Sequence, residues 1–158
     1  MTDIIITDNS EEVISEFNER LRIALEEVGR EAEGNAKQYC TAVDTGRLRN
    51  SIAFATSEHY GSYDYTDKYG LPFTDESEQP EKNSVYIGSN VEYAPYIELG
   101  HAVTRHRPVK RDNRKRQHDE SHAKTVAPLH FLKNAIANHT ERYMNIIKTI
   151  MEGQDGQE

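Results

Sequence analysis

An apolar stripe with helical spacing runs through the first part of the chain. From Val13 to Tyr39, apolar side chains recur every three or four residues, which is the spacing of one face of an α-helix. The pattern predicts a helix of about thirty residues, roughly 45 Å long. Asn9 and Glu12 have the spacing of a capping box at its start. The stripe changes from Phe and Leu to Ala along its length, so we expect the second half of the helix to pack closely against another backbone.

The opposite face of this predicted helix is acidic. Its polar positions are dominated by glutamate, at Glu11, Glu12, Glu16, Glu19, Glu26, Glu27, Glu31 and Glu33. A face of this kind is most often solvated, and it also offers a ready surface for a basic partner.

The stretch from Ser84 to Gly100 changes its periodicity midway. Alternating apolar residues over 84–88 predict a half-buried strand. Helical spacing over 92–99 then predicts a short helix, with Pro95 in its first turn and Gly100 as a left-handed C-cap. The stretch therefore predicts a strand, a turn and a short helix that stops at the glycine.

Other segments complete the expected architecture. Asp44 is a good N-cap for a helical turn that begins at Thr45. A hairpin with a long acidic loop is predicted within 58–83. A final helix should begin with Pro128 near its first position and run to about Met151.

These elements predict an α+β fold in a single domain spanning 1–158. A small, mainly antiparallel sheet from about 51–56, 60–66 and 84–88 should pack against the long N-terminal and C-terminal helices. We expect a core over about 9–152, long loops at about 58–83 and 101–126, and a polar tail at 153–158. The side chains expected to meet between the sheet and the helices are Ile52, Phe54, Val85 and Ile87 with Phe17, Leu21, Leu132 and Ile136.

Positive charge is concentrated in one segment of a chain whose net charge is −8. Between 105 and 116, a single aspartate stands among Arg105, Arg107, Lys110, Arg111, Arg114, Lys115 and Arg116. Two targets fit such a cluster. One is nucleic acid, whose phosphates attract cations without sequence preference. The other, which we favour, is the acidic helix of a neighbouring copy.

No catalytic, cofactor or metal site is predicted, and the chain is not expected to be an enzyme. Cys40 is the single cysteine, so an intrachain disulfide is excluded. Asp44 opens an Asp-Thr-Gly triplet like that of aspartic proteases, but the chain lacks a second copy. His118 and His122 have a spacing that can bind zinc, but neither a cysteine nor a His-Glu-x-x-His pattern accompanies them. The N-terminus does not resemble a signal peptide, and no apolar run is long enough to span a membrane.

Three short blocks of sequence, at 43–52, 85–100 and 128–135, occur in a characteristic order. They follow the patterns D-T-G-x-L-x-x-S-I, V-G-x-x-x-x-Y-A-x-Y-x-E-x-G and P-x-x-F-L-x-x-A. Together they resemble the neck, or tail-completion, proteins that join heads to tails in long-tailed bacteriophages and prophages. The residues that carry the resemblance are Asp44, Gly46, Leu48, Gly88, Tyr93, Ala94, Tyr96, Glu98, Gly100, Pro128, Phe131 and Leu132.

The resemblance implies a non-enzymatic structural protein of the virion. Such a protein would form a homo-oligomeric ring around the DNA channel, six-fold in the favoured case and twelve-fold in the alternative. Its partners would be the head–tail connector and the tail-terminator or tail-tube proteins, with non-specific contact to genomic DNA as a further possibility. It would reside at the head–tail junction and, during assembly, in the host cytoplasm. The alternatives are a nucleic-acid-binding module that uses the basic loop 105–116 and, less favoured, a small histidine-dependent nuclease or zinc hydrolase.

Overall fold

The computed structural model of the chain describes residues 8–41, 44–103 and 124–153. Helices alternate with short strands, which confirms the expected α+β class. In chain order the elements are α1 Ser10–Tyr39, α2 Arg47–Ser51, β1 Ala53–Thr56, β2 Gly61–Thr66, β3 Pro72–Ser77, β4 Val85–Gly88, α3 Ala94–Leu99, β5 His101–Val103, β6 Lys124–Val126, α4 Phe131–Ala137 and α5 Thr140–Glu152.

The strands of the described residues form three antiparallel pairs, where one continuous sheet was expected. β1 pairs with β4, β2 with β3, and β5 with β6. β2 and β3 are joined by a tight turn, in which the Asp67 carboxylate accepts the N–H groups of Tyr69 at 2.8 Å and Leu71 at 2.9 Å. The expectation of a long acidic hairpin loop was therefore wrong. Two strands of six residues each occupy nearly half of the acidic segment, and the turn that joins them has only five residues.

The first helix has the predicted length but not the predicted cap. α1 spans 30 residues. The Asn9 side chain makes no capping hydrogen bond. Instead, the Asp8 carboxylate accepts the N–H of Ser10 at 3.0 Å. The capping box of Asn9 and Glu12 was thus wrong, because the residue before Asn9 supplies the acceptor.

The second half of α1 packs closely, as its small residues predicted. Ala24, Gly29, Ala32 and Ala36 are buried. The ring of Phe54 on β1 lies so close to Gly29 that an added Cβ would stand 2.3 Å from its Cδ2 atom. A glycine at this position therefore allows β1 to approach the helix.

The expected contacts between the sheet and the helices are confirmed only in part. Ile52 is buried, and Leu132 and Ile87 pack against the core while staying partly accessible. Phe17 and Ile136, however, are about half exposed, at 53% and 50%. Placing these two side chains in the core was wrong, because α1 extends past the strands and the outer side of α4 faces solvent.

The predicted single C-terminal helix is two helices. α4 ends at Ala137 and α5 begins at Thr140. The first helix begins at Phe131 because His130 has a left-handed backbone with φ 53°, so placing Pro128 near the first helical position was also wrong. The break lets both helices contact α1. Tyr143 of α5, for example, accepts a hydrogen bond from the Asn35 amide at 3.0 Å.

Substituting Gly29 tests the close approach of β1 to α1. Gly29→Ala should lower the free energy of unfolding by about 1–3 kcal/mol, because the new methyl group overlaps the Phe54 ring. Gly34→Ala is the matched control, since nothing lies within 4 Å of an added Cβ there. That change should raise stability by about 0.5–1 kcal/mol through helix propensity. Urea unfolding of the two variants measures both effects, and equal stabilisation by both would contradict the packing.

Candidate functional site

The three sequence blocks meet in one core at the C-terminal end of α1. Each block contributes two fully buried side chains, and α1 contributes the surface on which they pack. The cluster consists of Leu48 and Ile52 from the first block, Val91 and Ala94 from the second, Phe131 and Ala135 from the third, and Ala36 and Cys40 from α1. Much of the pattern in the three blocks therefore builds the fold.

The Glu98 side chain joins the second block to the third. Its two carboxylate oxygens accept the backbone N–H groups of Leu132 and Lys133, each at 3.1 Å. The carbonyl of Glu98 also accepts the N–H of His130 at 3.1 Å. These bonds satisfy donors that the first turn of a helix leaves unpaired, and the negative charge favours the positive end of α4. Sequence reasoning placed Glu98 in the motif but missed this role, because the capped helix lies 33 residues later.

The buried Ser51 and the partly buried Ser89 connect the first block to the second. The Ser51 hydroxyl donates to the Leu48 carbonyl at 2.8 Å and shares a hydrogen bond with the Ser89 hydroxyl at 2.6 Å. The hydroxyl of Tyr63 on β2 donates to the Ser51 carbonyl at 3.1 Å. Burial raises the pKa of Tyr63 to about 12, so this donor keeps its proton at neutral pH. Ser51 is the serine of the first motif, but its role was not predicted from the sequence, and Ser89 was not singled out.

Gly100 is where the chain returns toward the third block. Its φ of 74° and ψ of 167° stop α3, but the backbone is not the left-handed helical cap that was predicted. A Cβ at this position would lie 2.7 Å from the Val126 carbonyl oxygen and 2.8 Å from the Pro128 nitrogen. Gly100 is thus required by a close backbone approach, and Pro128 helps to form the surface that it meets.

The Asp-Thr-Gly triplet forms a bend before α2. Gly46 takes a left-handed conformation with φ 77°, and α2 begins at Arg47. The expectation that Asp44 caps a helix starting at Thr45 was wrong, because Asp44 is exposed and the helix starts two residues later. Thr45 instead accepts the backbone N–H of Lys68 at 2.8 Å, which holds the β2–β3 turn beside the bend.

The remaining motif residues divide between the sheet and the surface. Gly88 ends β4 opposite Ala53. The aromatic side chains of the second block face solvent, with Tyr93 39% and Tyr96 58% exposed. Leu99, on the same helix, is 69% exposed. These residues do not serve the core, so they are available for contacts with other molecules.

A cleft of about 670 Å³ opens between the bend, the β2–β3 hairpin and α3. Its apolar walls are formed by Leu48, Phe73, Tyr93 and Ile97. The Arg47 guanidinium lies over the Phe73 ring, 4.5 Å from its centroid. A hydrogen bond to Tyr65 raises the pKa of Arg47, which keeps the guanidinium charged. Asp44 and Asp67 also line the cleft, so its apolar interior is bordered by charges of both signs.

The basic cluster lies outside the described residues, as do His106, His118 and His122. The structure describes the two strands that precede and follow it. β5 and β6 pair in antiparallel register, with Val103 opposite Lys124. Within the described ranges, no group of three His, Cys, Asp or Glu residues is placed to hold a metal ion. No helix there is both long and apolar enough to cross a membrane.

Substituting Glu98 tests the link between the second and third blocks. Glu98→Ala should lower the free energy of unfolding by about 0.5–2 kcal/mol, because two N–H groups of α4 lose their acceptors. Glu98→Gln, which keeps one acceptor oxygen, should cost less. Glu92→Ala is the control, since Glu92 is exposed on the turn before α3. Chemical denaturation of the three variants should rank them in this order, and equal losses for Glu98→Ala and Glu92→Ala would refute the cap.

Comparison with known families gives one match. The model of the family described as "Bacteriophage HK97-gp10, putative tail-component" matches residues 6–100. Comparisons with curated proteins and with solved structures gave no match. The matched span holds α1, the first two blocks and the wall of the cleft, and it covers more than half of the chain. This chain belongs to the HK97-gp10-like family of bacteriophage tail components, in agreement with the resemblance to neck and tail-completion proteins.

Proposed function

We propose that the chain is a non-enzymatic, ring-forming subunit of the phage neck that joins the head connector to the tail around the DNA channel. Family membership supports a structural role in the virion. The observation that carries the finer proposal is the apolar surface. Among the described residues, more large hydrophobic side chains are exposed than buried. A protein of this size is expected to bury such side chains against partners.

Several of the exposed apolar residues fall into three groups. One group is on the first turns of α1, a second is on α3, and a third is at the β2–β3 turn, where Tyr69 is 71% and Leu71 57% exposed. Several separate contact surfaces fit a subunit that touches copies of itself and also the rings above and below it. The partners proposed are the head–tail connector and the tail-terminator or tail-tube proteins.

Contacts between different surfaces of neighbouring copies would support ring formation. When one surface of a subunit binds a different surface of the next copy, the assembly closes into a ring if the rotation permits. We propose six-fold symmetry, with twelve-fold as the alternative. The proposed location is the head–tail junction of the virion, reached after assembly in the host cytoplasm.

For the basic segment 105–116, we favour contact with protein over contact with DNA. The paired strands β5 and β6 bring Val103 and Lys124 together on either side of the stretch that contains this segment. A conduit must let the genome slide, and a ring of strongly basic segments that bind phosphate would slow its passage. The acidic face of α1 on a neighbouring copy is the proposed target.

Deleting the gene from the phage or prophage that carries it tests the neck assignment. The lysate should contain filled heads and complete tails that are not joined, and supplying the wild-type protein should restore joining. Electron microscopy of the lysate measures the outcome. Normal joining without the protein, or loss of the tails themselves, would contradict a neck role.

Reversing the charge of Arg111, Arg114, Lys115 and Arg116 distinguishes the two targets of the basic segment. If the segment binds protein, rings should fail to form or heads and tails should fail to join, while circular dichroism shows a folded subunit. If joining is normal and only genome retention or ejection changes, the segment acts on DNA.

A further inference from the structure

One edge of β4 has no partner strand. In an antiparallel pair, opposite residues that exchange two backbone hydrogen bonds alternate with opposite residues that exchange none. The N–H of Thr56 donates to the His59 carbonyl at 2.8 Å, so Thr56 and Val85, which lie opposite each other, exchange no hydrogen bonds. The backbone N–H and carbonyl groups of Val85 and Ile87 therefore point away from β1. Among the described residues, these groups make no hydrogen bond.

This edge is also accessible and apolar. Val85 and Ile87 are half-buried, and Tyr86 between them is 49% exposed. Proteins usually protect a free edge with charged residues, proline or a bulge. β4 contains neither a charged residue nor a proline, and its register with β1 is regular. β4 therefore has the features of an edge that accepts another strand.

Apolar side chains of α1 lie near the same edge. The ring of Phe54, opposite Ile87, lies against Gly29 of α1, so the side chain of Ile87 is on the α1 side of the strand pair. Leu21 and Val28 lie within about 100° of Gly29 around the helix, and both are only half-buried. β4 and α5 each pack on α1 but make little contact with each other. A strand added to β4 would therefore find an apolar surface on the side of α1.

The chain contains a segment that suits this edge. Residues 4–7, which precede the described part of the chain, read Ile-Ile-Ile-Thr. All four are β-branched, and such residues favour strands. β4 also has four residues. Because side chains alternate along a strand, this segment would present isoleucine to both faces of the sheet.

The segment is too short to reach β4 of its own chain. Through its partner on β1, Ile87 is placed beside Gly29, and α1 rises about 30 Å between Asp8 and Gly29. Val85 is two strand residues, or about 7 Å, closer to the start of α1. Ile4 lies four residues before Asp8, and four extended residues span at most about 14 Å. A contact between this segment and β4 must therefore join two copies.

We propose that residues 4–7 of one copy add a strand to β4 of a neighbouring copy, and that this pairing joins subunits of the ring. The added strand forms hydrogen bonds with the outward backbone groups of Val85 and Ile87, and its isoleucines pack on the apolar surface beside them. The inference rests on the proposed function and deepens it by naming one contact between copies. Because each copy donates one segment and accepts another, the contact is directional.

Amide hydrogen exchange tests where the segment binds. The receiving variant carries Ile4→Ser, Ile5→Ser and Ile6→Ser in the full chain, so it loses its own segment and keeps β4. A peptide of residues 1–8, added at up to about 1 mM, should slow exchange of the Val85 and Ile87 amides at least about tenfold, because both gain acceptors. The Tyr86 amide, which already faces β1, should change little. NMR measures each amide separately.

A matched peptide and two variants of the edge are the controls. The same peptide with its three isoleucines replaced by serine should protect neither amide. Val85→Pro removes an N–H that points away from β1, so the subunit should fold, as circular dichroism can verify, but bind the peptide at least about tenfold more weakly. Val85→Thr keeps the N–H and the branched shape, and should bind normally. Equal effects of the two peptides, or no protection by the isoleucine peptide, would overturn the proposal.

The wild-type chain distinguishes pairing between copies from other arrangements. Protection of the Val85 and Ile87 amides should rise with protein concentration, and the receiving variant alone should show none. Protection that is independent of concentration would place the segment on its own chain. Association of the receiving variant through these amides would show that two β4 edges pair with each other. Either result would contradict the proposed contact.

These outcomes separate the contact from the function. The peptide measurement uses the isolated subunit, so its failure would remove the strand pairing and leave the neck assignment intact. Heads and tails that join without the protein would remove the neck assignment itself.

Discussion

Close packing against the small-residue half of α1 is the interaction on which the rest of the structure depends. Ala36 and Cys40 leave space for Phe131, which is fully buried among residues from all three sequence blocks. Since strands of three or four residues have little stability of their own, they hold their places because the blocks fix the helices around them. Glu98 and Ser51 add hydrogen bonds between blocks at the same place. The core is thus small, but its three blocks are linked to one another by packing and by hydrogen bonds.

The sequence was sufficient to predict the secondary structure where the apolar pattern was long or repeated. The stripe from Val13 to Tyr39 predicted α1 almost to the residue. A helical pattern that is sustained over about thirty residues averages out local exceptions. The strand and short helix of the second block were also predicted, with β4 at Val85–Gly88 and α3 at Ala94–Leu99. The motif itself pointed to the phage family.

The predictions that were wrong concern features that depend on tertiary contacts. Apolar periodicity cannot tell that Phe17 is 53% exposed while Ala24, Ala32 and Ala36 on the same stripe are buried, so Phe17 was assigned to the core. It also cannot show that one apolar stripe after Pro128 is bent into two helices by packing on α1. The cleft was missed because its walls come from three separate segments, at 44–48, 67–73 and 93–97. The cap by Glu98 was missed because the helix that it caps begins 33 residues later.

The contact between Gly100 and Pro128 has a consequence for how related chains can differ. The backbone leaves the core at Gly100 and re-enters it at Pro128, and these two points touch. Any segment placed between them begins and ends at the same point of the structure. A change in its length therefore alters only the loop-closure entropy, which varies slowly with length. The length of the stretch between Gly100 and Pro128 can therefore change while the packed core keeps the same two attachment points.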